Sequence, residues 1–205
     1  NDWLERRASH RQAVGMEGPE EAGSTSAIVI GYGRFGQTVS QMLMAKNVSV
    51  TLIDSNPSQI EVSGSFGAKV YYGDGLRLDL LRLAGAENAR ALLFCIDGAD
   101  PTRRRVEAIL EAFPQAGVFV RAFDRVHLIE LTEVDLAGTV REVFESAVLM
   151  GREALRAFDI PEEEVARVEQ EYRQRDTERL VGQSASGDLH TLKERMFGPD
   201  NALDG

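Results

Sequence analysis

Five short apolar runs, "AIVIG", "VSVTLID", "AKVYYGDG", "ARALLFCID" and "AGVFVRAFD", recur along this chain, and a helix-like segment follows each of them. Strand-length runs alternating with helices through short connections imply a parallel sheet with both faces covered. The spacing therefore predicts an α/β protein: a Rossmann-like doubly wound parallel sheet with a C-terminal helical arm.

The intervening segments carry the helical period. "RFGQTVSQMLMAKN" sets Val39, Met42 and Leu43 at helical spacing. Pro57 opens a second helix, with Ser55 or Asn56 as its cap and Gly67 at its close. "LRLDLLRLAGA" is amphipathic and stops at Gly85, and "PTRRRVEAILEAFP" forms the next helix. After the fifth strand come a helix, a short edge strand near Thr139–Glu142 and a longer helix. Beyond Pro161, "EEEVARVEQEYRQRDTERL" has only a thin apolar stripe through Val165, Val168 and Tyr172. That stripe predicts a surface arm or a partner contact, not core. The resulting organisation is a linker over 1–26, a sheet domain over 27–157, a charged helical arm over 158–182 and a flexible tail over 183–205.

Thirty-three acids against 23 bases give a net charge of −10. Such a surface repels phosphate backbones and speaks against nucleic-acid binding. No apolar run approaches the ~20 residues that cross a bilayer, and no secretory signal opens the chain. It starts on Asn1, not Met, within polar sequence rich in Gly15, Gly18, Pro19 and Gly23, which reads as a segment of a longer protein. The lone cysteine, Cys95, permits no internal disulfide, suits a reducing compartment and reads as a small buried hydrophobe.

Gly31, Gly33 and Gly36 spell G-x-G-x-x-G between the first strand and the first helix, the context this fingerprint needs. Gly31 permits the sharp turn, Gly33 leaves room for a pyrophosphate, and Gly36 allows the helix to pack closely. The helix N-terminus presents N–H groups to an anion. Asp54 ends the second strand at about the ~20-residue distance of a ribose-binding acid. Its carboxylate accepts both ribose hydroxyls and repels a 2′-phosphate, which favours NAD(H), AMP, ADP or ATP over NADP; it could also cap the next helix. Asp74 and Asp97, after the third and fourth strands, lie at the same carboxyl edge of the sheet and are further binding candidates.

Catalysis has little support. His10, His127 and His190 stand in the linker, at a helix start and in the tail, none flanked by an orienting acid and a nucleophile. HExxH, CxxC and GxSxG are absent, so no catalytic residue and no metal ligand is assigned.

"VIGYGRFGQ", "LIDSNPSQIE", "GAKVYYGDGLRLDLLRLAGAENARALLFCID", "FPQAGVFVRAFD" and "VFESAVLMGREAL" together resemble the nucleotide-binding domain, called KTN, TrkA-N or RCK, of Kef-type potassium efflux systems. The resemblance spans roughly Ser26 to Ala157. It implies a regulatory domain on the cytoplasmic face of the inner membrane, attached to its own membrane antiporter domain and paired as a homodimer. AMP or NAD(H) would occupy the crevice at Gly31, Gly33, Arg34, Phe35, Gly36, Asp54, Asp74 and Asp97. In the glutathione-gated branch the effector lies between subunits, near arginines matching Arg34 and Arg121, where a guanidinium can take a carboxylate in a two-pronged bond. The chain departs from that branch at Gly75 and Leu76, at Arg103–Arg105 and at Asp176, so glutathione stays open as an added effector while nucleotide binding is untouched. Two alternatives are a stand-alone Trk-type potassium-uptake subunit and an NAD-dependent oxidoreductase.

Overall fold

The computed structural model describes residues 26–58 and 68–186. The linker before Ser26, most of the helix opened by Pro57, its closing Gly67, and the tail beyond Ser186 lie outside the described residues.

Six strands form one sheet: β1 (Ser26–Ile30), β2 (Ser49–Asp54), β3 (Lys69–Tyr72), β4 (Ala91–Phe94), β5 (Gly117–Ala122) and β6 (Gly138–Arg141). Their order is β3-β2-β1-β4-β5-β6, and β1 through β5 pair in parallel. The chain winds outward from β1 to one edge and then from β4 to the other, the doubly wound order predicted above. The reversal between β1 and β4 opens a crevice at their carboxyl ends. In β1, Ala27 to Ile30 are all buried, because a central strand is covered on both faces and loses the two-residue alternation. β6 is the predicted edge strand. Ala137 N–H donates to Val118 O, and Glu142 N–H donates to Ala122 O.

The helices are α1 (Arg34–Met44), α2 (Leu78–Leu83), α3 (Arg103–Ala112), α4 (Arg125–Glu130), α5 (Phe144–Ala157) and α6 (Glu162–Ser186), with a 3-10 turn at Ala86–Asn88. α1 presents Val39, Leu43 and Met44 to a core of Val29, Val50, Leu52 and Val70. Met42, predicted to share that face, is 69% exposed. At 100° per residue it falls outside the stripe that Val39 and Leu43 define.

By contacts the chain divides into two compact units. One runs up to Arg121 and takes in Val134–Thr139; the other comprises Ala122–Glu133 and the residues from Val140 onward. The second unit is helical, and its packing overturns one expectation. α6 continues to Ser186, past the expected end of the arm at 182, and it is not merely surface: Val165 is fully buried and Asp176 nearly so. The apolar stripe faces α5, while the Asp176 side of the helix is covered by charged partners. Phe144 on α5 stacks on Tyr172 of α6, ring centroids 6.0 Å apart.

Candidate functional site

The first unit contains a cavity of about 570 Å³ at the carboxyl ends of β1 to β4, within the usual size range of small-ligand sites. Gly31, Gly33, Asp54, Asp74 and Asp97, all singled out from sequence, line it together. Gly31 has φ +91°, and a Cβ there would lie 2.9 Å from Ile96 N. Only glycine turns the chain at that point. A Cβ at Gly33 would meet nothing within 4 Å, so the backbone there borders open space. Gly36 is outside the wall and has a packing role: a Cβ would fall 1.9 Å from Gly31 O, so helix and turn touch backbone to backbone.

α1 begins directly after the turn. Its N-cap, Gly33, supplies no side-chain cap and its first turn holds no acid, so nothing of the helix's own competes with an incoming anion. The Tyr32 N–H instead donates to Asp54 Oδ2 at 2.6 Å, and the Asn56 N–H to Asp54 Oδ1, also at 2.6 Å. The carboxylate is thereby clamped between the β1 turn and the end of β2. Each oxygen has a second lone pair, so two ribose hydroxyls can still be accepted. Asn56 Oδ1 accepts the Ser58 N–H at 3.0 Å, so Asn56 is the helix cap of the two residues considered. Asp74 Oδ1 accepts the Leu76 N–H at 3.0 Å, an Asx turn within the cavity wall.

The arginines divide. Arg34 is exposed in the first turn of α1, outside the cavity wall. Arg121 is buried, 8% exposed, and its Nη1 donates to Asp97 Oδ1 at 2.7 Å and to Cys95 O at 3.2 Å. Its guanidinium lies 4.8 Å from the Phe35 ring centroid, a cation–π contact that gives Phe35 a supporting place under the site. Arg121 thus anchors Asp97 from within the protein. Burial pushes the Cys95 thiol up to about 11, with Arg121 pulling the other way.

Gly75 and Leu76, whose departure from the family pattern is expected beside the ligand, line the cavity too, as do Ser55, Asn56, Asp100 and Arg105, which carry no site assignment from sequence. Ser55 and Asn56 followed from Asp54 by adjacency. Arg103–Arg105 stand out in sequence as a departure from the glutathione-gated branch, but which of the three reaches the cavity depends on how α3 leaves β4. Among the described residues no group of three or more His, Cys, Asp or Glu side chains could hold a metal ion, and no helix is long and apolar enough to cross a membrane.

The helical unit holds two features of its own. A groove of about 370 Å³ is lined by Phe144, Val148, Leu155, Val165, Val168 and Tyr172, among others. Separately, Asp176, with its side chain 5% exposed, accepts from Arg125 Nη2 at 3.2 Å and from Arg141 Nη2, with Arg179 at 3.8 Å. Burial pulls the Arg125 guanidinium down; Asp176 opposes this, while Arg179 and Arg141 add to it.

Residues 27–142 match the TrkA-N domain family. A glutathione-regulated potassium-efflux system protein of Haemophilus influenzae is 36% identical over 85% of this chain and 28% of its own length. The KefC protein of Salmonella arizonae is 37% identical over 80% of this chain and 26% of its own. The chain therefore spans about a quarter of the length of these curated relatives. The Kef CTD of Shewanella denitrificans, solved in its AMP-bound form, superposes with a TM-score of 0.71 at 36% identity, covering 79% of this chain and 99% of that one. With the doubly wound sheet and the glycine turn in place, the chain belongs to the TrkA-N domain family and has Kef-type potassium-efflux proteins among its relatives.

Proposed function

We propose that this chain is the nucleotide-sensing regulatory domain of a Kef-like potassium:proton antiporter, and that it binds AMP or NAD(H) in the β1–β4 cavity to gate potassium efflux. The observation that carries the proposal is the clamped Asp54 carboxylate beside the open backbone of Gly33. An adenylate would place its ribose on Asp54 and its phosphate over the glycine turn at the start of α1. The AMP-bound state of the Shewanella denitrificans relative supports the same ligand class. The TrkA-N family match and the Kef-type potassium-efflux relatives support sensing over catalysis. A ligand acts on a gate only through a difference in affinity between two states, typically ~1–3 kcal/mol. An attached membrane domain would carry the ions across the inner membrane, with this domain at its cytoplasmic face.

A homodimer is part of this proposal, with a second copy covering the apolar groove between α5 and α6. Glutathione is a second effector to be tested, and Arg34 is its exposed guanidinium. Thermal unfolding with AMP, ADP, ATP, NAD⁺, NADH, NADPH and glutathione tests the set, with light scattering on the same samples reporting twice the chain mass. Saturation at ~100 Kd stabilises by ~2.7 kcal/mol, or ~5–10 °C at ~2–4 °C per kcal/mol. NADPH should give the smallest shift of the dinucleotides, and Asp54→Ala should abolish most of the adenylate shift. A full shift retained by Asp54→Ala would remove the ribose assignment.

A further inference from the structure

We propose that Arg105 selects ligands bearing a second phosphate, so that the cavity takes an adenosine pyrophosphate in preference to the monophosphate. This rests on the nucleotide reading above and adds to it the phosphate count. The sheet order β3-β2-β1-β4 lays the cavity wall out in sequence. Asp54 at the end of β2 lies on one flank of the Gly31–Gly33 turn. Cys95–Asp97, Asp100 and Arg105 lie on the other, where β4 passes into α3. A ligand with its ribose on Asp54 and its first phosphate over the turn can extend only onto the β4 flank if it follows the crevice.

That flank is negatively charged. Asp97 and Asp100 both face the cavity, and a second phosphate would be repelled there without a counter-charge. Asp97 is already compensated by Arg121 from beneath. Among the described residues of the wall, Arg105 is the one guanidinium. The first turn of α3 carries Arg103, Arg104 and Arg105 and no acid. Arg103 pairs with Glu107 along the helix at 2.8 Å, whereas Arg105 is turned to the cavity. Arg105 Nη1 stands 3.9 Å from Asp100 Oδ1, both groups half exposed. That separation is too long for a hydrogen bond and costs little to give up. A phosphate offers the same guanidinium a charge-assisted, two-pronged partner. Arg105 is thus a cation in reserve, at the place where the second phosphate of an ADP-like or NAD-like ligand arrives.

Equilibrium binding of adenosine, AMP, ADP and NAD⁺ to the whole chain, Arg105→Gln and Arg105→Lys tests this, with circular dichroism confirming the fold of each variant. The wild-type chain should bind ADP and NAD⁺ more tightly than AMP. Arg105→Gln should weaken ADP and NAD⁺ by tenfold or more and leave AMP within twofold, and Arg105→Lys should keep part of the preference. Equal weakening of AMP and ADP by Arg105→Gln, or no weakening of either, overturns the inference. So does a wild-type chain that binds AMP as tightly as ADP. If the wild-type chain binds none of the four, the nucleotide reading itself fails.

Discussion

Arg121 in the sheet unit and Asp176 in the helical unit are both buried charges, satisfied in opposite ways. Arg121 is held by Asp97, whose own side chain is 87% exposed, and by a backbone carbonyl. Asp176 is ringed by Arg125, Arg141 and Arg179, all less exposed than Asp97, and Arg141 also lies 3.6 Å from the Phe144 ring centroid. The first arrangement directs charge outward, to the wall of a cavity that also holds Asp54, Asp74 and Asp100. The second closes on itself. One buried acid against three guanidiniums welds α6 to α4 and to the end of β6, and gives the charged arm a fixed place in its unit. Similar residue types therefore line an open cavity in one unit and build a structural fastener in the other. What separates them is which member of the pair solvent can reach.

Asp176→Ala attacks the fastener and should have the largest effect. It leaves guanidiniums partly buried and facing one another without their counter-charge, at a cost of ~3–5 kcal/mol. Hydrogen exchange along α5 and α6, together with urea unfolding, reads that cost. Asp176→Asn should cost less, because an amide oxygen still accepts a hydrogen bond. If Asp176→Ala loses less than about 1 kcal/mol, the cluster behaves like a surface pair and the comparison breaks.

Cys95, beneath Arg121, gives the next effect and a pH signature. Its thiol is raised from 9.0 to about 11 by burial. The folded chain therefore keeps the proton that the unfolded chain releases. Stability from this group is complete below about pH 9 and is lost as pH rises toward 11, by up to roughly 2–3 kcal/mol. Unfolding free energies measured across that window should fall in the wild type and flatten in Cys95→Ala. An equal slope in both would mean that the thiol is more exposed than its neighbours imply.

Arg173→Met sharpens the comparison from the weak side. Arg173 pairs with the exposed Glu145 at 2.7 Å and the half-buried Glu169 at 2.9 Å in the same helical unit, closer to solvent than Asp176. Its hydrogen bond holds the Glu145 carboxyl below the usual range. Exposed pairs contribute ~0–1 kcal/mol and fade with salt, so this variant should differ little from the wild type in 1 M NaCl. A loss comparable to that of Asp176→Ala would show that burial is not what distinguishes the two clusters.

Much of the site was legible because its logic is local. Gly31, Gly33 and Gly36 stand within six residues of one another, and each meets a constraint set by the turn itself. Asp54 ends a strand whose β-branched run is visible by eye. Its clamp to Tyr32 follows from the pairing of two adjacent parallel strands, β1 with β2. Arg121 is different. It resembles a free anion-binding arginine until β4 and β5 are placed side by side, which brings Asp97 to it from 24 residues away. Asp176 meets Arg125 across 51 residues and Arg141 across 35. The stripe through Val165 is too thin to signal core by itself, because the helices that cover α6, α5 and α4, are brought against it only by folding.

The chain's own order of residues determined the alternation of strands and helices, the phosphate-type turn and the acid at the end of β2, since each depends on backbone geometry and apolar period over a few residues. Only the tertiary structure decided which charges point outward, because a carboxylate or guanidinium is committed by the partner that packing brings to it. That partner is specified by the winding of the sheet and the docking of helices, not by neighbours along the chain.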